Sequence, residues 1–259
     1  MKEFSLDPGV IAFINSYLEV SSLSTATTVA QQRIDYQAIV QHFRYPHPPN
    51  LQTRDSEVDG RHGKIPLRHY RSEQGSSDAL IMFLHGGGFI LGSLDSHDDI
   101  CAELCANTGY QLVSVDYRLS PEYTHPAHLD DVEDAFQAMA HNNTILVGAS
   151  AGGTLAAALC YRLKTSKQRP AGQVLIYPTL GGDCFDLDSY RDNANAPLLS
   201  TRDIMFYRAT RCASDELPLN DPEFYPLVAG DFGMNPTTIA ISADVDPLRD
   251  DARLYVEKL

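Results

Sequence analysis

The sequence predicts an α/β domain in which a mostly parallel central sheet is covered by helices on both faces. Five short apolar runs are typical of buried strands, and helix-like stretches separate most of them. Strands that are apolar along their whole length indicate a parallel sheet that is buried on both sides. The five runs are residues 80–84, 112–115, 145–147, 174–177 and 239–241.

Length and composition indicate one globular domain. The chain has 259 residues, of which 43% are hydrophobic and 21% are charged, and a single α/β core can reach this size. The net charge of −14 comes from 34 acidic and 20 basic residues, without a basic cluster. We therefore expect neither nucleic acid nor an anionic membrane as a partner. The residues leave the oligomeric state open between monomer and homodimer.

The N-terminus and the cysteines predict the compartment. The first eight residues lack the basic start and apolar core of a signal peptide, and no apolar run approaches transmembrane length. Cys101 and Cys105 are four residues apart on a predicted helix, so we expect packing thiols. With Cys160, Cys184 and Cys212 they make an odd number without zinc spacing. We expect a cytoplasmic protein with no metal site.

The first 45 residues predict two peripheral helices. Asp7 and Pro8 are typical of a helix start, and a second helix is expected from about residue 28 to residue 43, before a proline-rich linker. This pair must pack on another part of the chain. A lid over the core and an ordinary N-terminal appendage both fit these residues.

The remaining elements follow in order. Residues 56–70 predict a hairpin with its turn at 59–63. The gap between residues 177 and 239 is too long for one crossover, and we expect an insertion over about 181–213 that projects from the strand ends above the serine described next. Helices are predicted at 96–107, 126–140, 151–164 and 201–212.

The motif Gly148-Ala149-Ser150-Ala151-Gly152 lies between a predicted strand and a predicted helix. Glycine on both sides leaves room for a sharp turn, which exposes the serine hydroxyl and holds the backbone under strain. The backbone N–H of Ala151 then points to where negative charge develops. The context favours Ser150 as a nucleophile over a chance serine in a common five-residue pattern.

A second motif, His85-Gly86-Gly87-Gly88-Phe89, follows the first apolar run. Consecutive glycines let the backbone direct its N–H groups toward one point, as an oxyanion hole requires. We predict that Gly87, Gly88 and Ala151 hold the oxyanion, with Gly86 as a further candidate. A phosphate-binding loop is disfavoured because no helix start follows, and His85 is expected to be structural.

Together these motifs resemble the hormone-sensitive-lipase-like family of α/β-hydrolase esterases. The resemblance also covers Asp116-Tyr117-Arg118-Leu119-Ser120-Pro121-Glu122 and Asp244-Val245-Asp246-Pro247-Leu248-Arg249-Asp250. It implies an α/β-hydrolase fold, a serine esterase for short acyl esters and no cofactor. It also implies a helical cap, which we place at about 1–45 and 181–213, on a catalytic core of about 46–180 and 214–259 within one domain.

The resemblance places the acid of a catalytic triad at Asp246, after the last strand, where a carboxylate can orient an imidazole. Three further acidic residues, Asp244, Asp250 and Asp251, are nearby competitors. The family usually has Asp or Glu where this chain has Ala149. We expect altered packing or hydrogen bonding there, without loss of the chemistry.

The catalytic histidine is missing from the expected position. In this fold it follows the acid in chain order, yet all nine histidines precede Ser150. We expect that the C-terminal part, with the last strand and this histidine, is missing from the chain. An upstream histidine such as His85, His125 or His128 is disfavoured as a substitute.

Two kinds of function fit these residues. The first is a carboxylic-ester hydrolase that forms an acyl-enzyme on Ser150, and an acyl-peptidase would use the same residues. The second is a small-ligand-binding protein on a hydrolase scaffold, like the gibberellin receptors that have lost the histidine. The intact Ser150 and glycine loop favour the hydrolase.

Overall fold

The computed structural model describes residues 6–21, 28–73, 75–212, 214 and 216–259. Within these residues, seven strands form one sheet. The strands are β1 (Leu51–Gly60), β2 (Gly63–Ser72), β3 (Ser76–Leu84), β4 (Tyr110–Val115), β5 (Thr144–Ala149), β6 (Gly172–Ile176) and β7 (Thr237–Ile241).

The sheet is mostly parallel, as predicted. Its order is β1-β2-β4-β3-β5-β6-β7, and the five strands from β4 to β7 in that order pair in parallel. The predicted hairpin forms the antiparallel side, through β1 with β2 and β2 with β4. Both hairpin strands extend further than the predicted 56–70 because Leu51 pairs with Ser72.

Strand register brings three loops to one edge of the sheet. Leu84 lies opposite Gly148, and Ile176 lies opposite both Ala149 and Ile241. Because these strands are parallel, the segments that follow them leave the sheet side by side. The glycine loop, Ser150 and the segment after β7 therefore share the carboxyl edge.

Helices connect the strands close to the predicted positions. The prediction at 96–107 begins instead as a 3₁₀ turn at Leu94–His97, which Ser93 and Ser96 cap reciprocally. No helix among the described ranges is both long enough and apolar enough to cross a bilayer. The helices are α1 (Pro8–Ser21), α2 (Val29–Phe43), α3 (Asp98–Thr108), α4 (Ala127–Met139), α5 (Ala151–Arg162), α6 (Asp188–Asp192), α7 (Thr201–Arg211) and α8 (Arg249–Lys258).

The core lies on both faces of the sheet because successive residues of β3 point to opposite sides. Met82 and Leu84 belong to a cluster that includes buried residues of α4 and α5. Phe83 belongs to a second cluster with Cys101 and Cys105 of α3. Both thiols are buried and unbridged, which confirms the prediction of packing cysteines.

The N-terminal helices are attached to the loops at the carboxyl edge. α1 packs on α2 through Phe13 and Phe43, whose ring centroids are 4.8 Å apart. From α2, Arg33 donates to the carbonyl oxygens of Ile90 and Ser120, each at 2.8 Å. It also forms a bidentate pair with Glu122 at 2.7 and 2.9 Å. These contacts hold α2 over the segments that follow β3 and β4.

The 181–213 segment is attached to α8 through one buried carboxylate. Asp251 Oδ2 accepts the backbone N–H groups of Leu180 and Gly182 at 2.6 and 3.1 Å. Its Oδ1 accepts the hydroxyl of Tyr190 at 2.9 Å. The segment that follows β6 is therefore fixed to α8.

β7 forms one edge of the sheet. It pairs with β6 on one side, and no described strand pairs with its other side. Ile239 and Ile241 are 57% and 48% exposed.

Candidate active site

Ser150 lies at a sharp turn between β5 and α5. Its φ and ψ are 53° and −115°, a region that non-glycine residues rarely adopt. A Cβ on Gly148 would lie 2.2 Å from the carbonyl oxygen of Gly152, and one on Gly152 would lie 2.0 Å from that of Leu84. Only glycine fits at these two positions. The turn therefore holds Ser150 at the carboxyl edge.

The residue before the serine is part of the core. Ala149 is 3% exposed and packs in the cluster that contains Phe83 and Tyr70. Its methyl group has apolar neighbours there. The chain therefore fills with hydrocarbon the position where the family usually has a carboxylate.

The glycine loop turns back on itself beside Ser150. Gly87 and Gly88 have φ of 124° and 61°, and the Gly87 carbonyl accepts the N–H groups of Ile90 and Leu91 at 3.1 and 2.8 Å. Residues with side chains rarely adopt such φ values. The positive φ angles of this loop thus explain why glycines occur here in succession.

Three backbone N–H groups near Ser150 have no protein acceptor within the described part of the chain. Those of Gly87 and Gly88 make no such bond. Ala151 is the first residue of α5, so its N–H has no acceptor within the helix. In contrast, the Gly86 N–H donates to His97 Nε2 at 3.4 Å. The free donors are therefore Gly87, Gly88 and Ala151.

The upstream histidines have structural partners. His85 is buried, its Nδ1 lies 2.8 Å from the Gly86 carbonyl oxygen, and its ring stacks on Tyr117 at 4.3 Å. Burial lowers the pKa of His85 to about 4, so the ring is neutral at pH 7. His125 contacts Asp221 and His128 contacts Ser120, at 3.0 Å each.

Asp246 lies in the turn after β7. Its Oδ1 accepts the Leu248 N–H at 2.8 Å, and its carbonyl oxygen accepts the Asn193 side-chain amide at 2.9 Å. Burial raises the pKa of Asp246 above the ordinary value, and the Leu248 hydrogen bond opposes this. Asp246 and Ser150 line the same cavity.

The competing carboxylates have other surroundings. Asp250 pairs with Arg249 at 2.8 Å. The hydrogen bonds of Asp251 go to the start of the insertion. Asp244 lines the cavity that contains Asp246, but its side chain is 92% exposed. Asp246 is therefore the carboxylate that is both held in place and half-buried beside Ser150.

Two cavities meet at Ser150. The inner cavity, of about 50 Å³, lies under α7 and is also lined by Gly88, Tyr207, Arg208 and Arg211. The outer cavity, of about 670 Å³, lies under α1 and is also lined by Val10, Ile14, Tyr177 and Asp246. Residues of α1 and α7 thus line the cavities on two sides of the serine.

The sequence did not identify Arg208 and Arg211 as site residues. They are three apart on α7, so they share one face of the helix, and both line the inner cavity. Arginine at such spacing is common on exposed helix faces. The only signal was that Ile204, four residues before Arg208, is an apolar residue of the same face.

The parallel sheet and the serine turn at its carboxyl edge define an α/β-hydrolase. Residues 81–259 match the Abhydrolase_3 family, which is described by the alpha/beta hydrolase fold. The chain is 32% identical to carboxylic ester hydrolase LipN of Mycobacterium tuberculosis, over 98% of this chain and 72% of that protein.

Solved structures agree with this likeness. The hyperthermophilic esterase of the archaeon Pyrobaculum calidifontis has a TM-score of 0.88 and 29% identity, over 98% of this chain and 85% of that one. An esterase of the bacterial hormone-sensitive lipase family has the same fold, with a TM-score of 0.85 and 24% identity over 98% and 84% of the two chains. This chain belongs to the Abhydrolase_3 family and is a carboxylic ester hydrolase, which confirms the predicted family and enzyme class.

Proposed function

We propose that the chain hydrolyses short acyl esters through an acyl-enzyme on Ser150. The observation that supports this most directly is the position of Ser150, between two cavities and beside three free N–H donors. Attack of Oγ on the ester carbonyl forms a tetrahedral oxyanion, which the Gly87, Gly88 and Ala151 N–H groups stabilise. Collapse of this intermediate expels the alcohol and leaves an acyl-serine, which water then hydrolyses.

Asp246 takes the role of the acid that orients and stabilises a cationic base. This base removes the Ser150 proton and later protonates the departing alcohol. No histidine of the described residues lines either cavity, so the proposal assigns the base to none of them. The position of Asp246 defines only the side of Ser150 on which a base must lie.

The position of Asp246 also orients the substrate. The group that protonates the alcohol must lie between Asp246 and the departing oxygen. The alcohol therefore occupies the outer cavity, which contains Asp246, and the acyl chain occupies the inner one. A cavity of about 50 Å³ accommodates on the order of three to five non-hydrogen atoms, so the acyl chain is short.

Segments 1–45 and 181–213 act as the cap in this proposal. α1 closes the outer cavity, and α7 closes the inner one. The core of 46–180 and 214–259 carries the reacting groups. Arg33 attaches the first segment to the loops at the carboxyl edge, and Asp251 of α8 holds the start of the second.

Hydrolysis of p-nitrophenyl acetate, butyrate and octanoate tests the proposal, with protein from the full reading frame. We expect kcat/KM to be lowest for octanoate and Ser150→Ala to reduce kcat to background. Asp246→Asn should lower kcat by about 10² to 10⁴. Asp244→Asn is the matched control, because Asp244 is exposed in the same turn, and it should keep its activity.

Three results would contradict the proposal. Turnover that survives Ser150→Ala would show that another residue is the nucleophile. Equal losses of kcat in the Asp246 and Asp244 variants would show that Asp246 has no special role in the reaction. A protein that binds the esters without turnover, even when imidazole is added as an external base, would be a ligand-binding protein on this scaffold.

A further inference from the structure

The inner cavity contains a buried cation beside the nucleophile. Arg211 is 2% exposed, and its guanidinium lies between the rings of Phe89 and Phe224, 4.0 and 4.3 Å from their centroids. The two rings hold the flat guanidinium in place through cation–π contacts. The same residue lines the cavity that opens at Ser150.

No carboxylate of the described residues lies within 4.0 Å of this guanidinium. It donates instead to the carbonyl oxygens of Phe224 and Glu223, at 3.0 and 3.2 Å, and lies 3.4 Å from His125 Nδ1. Its Nε has no acceptor among the described residues. The nearby carboxylates have other partners, since Asp221 contacts His125 and Glu223 pairs with Arg162. A buried charge without a counter-charge is costly.

The remaining groups do not cancel this charge. Arg208 pairs with Asp183 in the wall of the same cavity, which leaves Arg211 as the excess charge. Burial lowers the pKa of Arg211 to about 9, so it stays cationic at neutral pH. Burial is the main cause, and the charge of Arg211 the second, that lowers the pKa of His125 to about 4. The His125 ring is therefore neutral at pH 7. The inner cavity therefore carries one net positive charge.

The outer cavity has the opposite sign. Among the residues that the structure describes, its lining contains Asp7, Asp244 and Asp246, and no lysine or arginine. An anionic group on the substrate is repelled there and attracted to Arg211. An ester bound across Ser150 thus meets a positive field on its acyl side and a negative field on its alcohol side.

We propose that the preferred substrates carry a carboxylate at the end of a short acyl chain, as in half-esters of small dicarboxylic acids. The anion approaches Arg211 and supplies the missing counter-charge, and the neutral alcohol faces Asp246. The products are the free alcohol and a dicarboxylate, with water as the only co-reactant. This proposal rests on the proposed function, since it needs Ser150 to be the reacting group.

Matched esters test the charge preference. Monomethyl succinate is compared with methyl levulinate, in which a neutral acetyl group replaces the carboxylate. A third ester, 3-acetoxypropionate, is an isomer of monomethyl succinate with the charge on the alcohol side. Because hydrogen bonds to charged groups are strong, we expect kcat/KM for monomethyl succinate to exceed that for each of the others by about tenfold or more.

Variants of α7 assign this preference to one residue. Arg211→Met should abolish the preference while methyl levulinate is still hydrolysed, and Arg211→Lys should retain part of it. Arg202→Met is the matched control, because Arg202 is exposed on the same helix, and it should leave the ratio unchanged. An equal loss for both esters in Arg211→Met would show that Arg211 only holds the fold together.

A binding measurement decides the matter without turnover. With Ser150→Ala, we expect isothermal titration to show succinate binding at least tenfold more tightly than neutral succinamide, and Arg211→Met should remove the difference. Equal affinities overturn the charge preference whether or not any ester is hydrolysed. If succinate binds more tightly than succinamide but no ester is hydrolysed, the proposed function is wrong and the proposed anion-binding site is supported.

Discussion

The ring of Tyr207 packs directly against Gly88. A Cβ on Gly88 would lie 2.5 Å from Tyr207 Cγ, closer than such atoms approach in proteins. This contact joins α7 of the insertion to the loop that carries the free N–H groups of Gly87 and Gly88. α7 therefore packs against the loop that carries two of the proposed oxyanion donors and also lines the inner cavity.

Gly88→Ala should lower kcat by about 10², because the added methyl group displaces either the loop or α7. The φ of 61° is itself unfavourable for alanine, by on the order of 1 kcal/mol. The double variant Gly88→Ala/Tyr207→Ala should recover the part of the loss that the clash causes. Steady-state kinetics of the three proteins measures this.

Gly230→Ala is the control for that comparison, since a Cβ there meets nothing within 4 Å. It should keep its activity. If Gly88→Ala is as active as Gly230→Ala, the loop does not need the observed conformation.

Arg33→Ala should loosen the N-terminal helices. It removes donors to Ile90 and Ser120 and a pair with Glu122. Because the pair is partly exposed, we expect a loss of roughly 1–2 kcal/mol in all, with a Tm lower by about 3–6 °C. Limited proteolysis should cut sooner within 8–45. Arg54→Ala, at an exposed position, is the control and should match the unaltered protein in both measurements.

Asp251 should make stability fall as the pH rises. Burial raises the pKa of Asp251 to about 7, so the folded chain holds a proton that the unfolded chain has lost between about pH 4 and 7. From pH 5 to pH 8, its contribution should decrease by roughly 2–3 kcal/mol. Urea unfolding at both pH values should show this decrease, and Asp251→Asn should remove it.

Asp250→Asn is the neighbouring control. The Arg249 hydrogen bond lowers the pKa of Asp250, so its contribution to stability is present above the ordinary carboxyl pKa and is lost only at more acid pH. The Asp250 variant should therefore run parallel to the unaltered protein from pH 5 to pH 8. A parallel course of the Asp251 variant instead would show that Asp251 does not titrate there.

Much of the fold was predictable because its signals are local. The apolar runs of β3, β4 and β5 lie in the core, and the glycines around Ser150 are required by close contacts at the turn itself. The prediction at 96–107 missed the 3₁₀ turn at Leu94–His97, because reciprocal Ser93–Ser96 capping gives a geometry that periodicity alone does not reveal. The lengths of β1 and β2 were underestimated, since their outer residues are polar and are held by pairing with each other.

The candidate site divides in the same way. The sequence by itself determined three parts of the site: a glycine loop, a strained turn at the serine and an acidic segment. Each of them is specified by residues within a few positions of one another. Only the tertiary structure decided that His97 accepts the hydrogen bond of the Gly86 N–H. It also decided that Asp251 binds the segment after β6, and that Arg211 lies buried in the cavity that opens at Ser150. Charge and burial at such positions arise from segments distant in the chain, so no local pattern contains them.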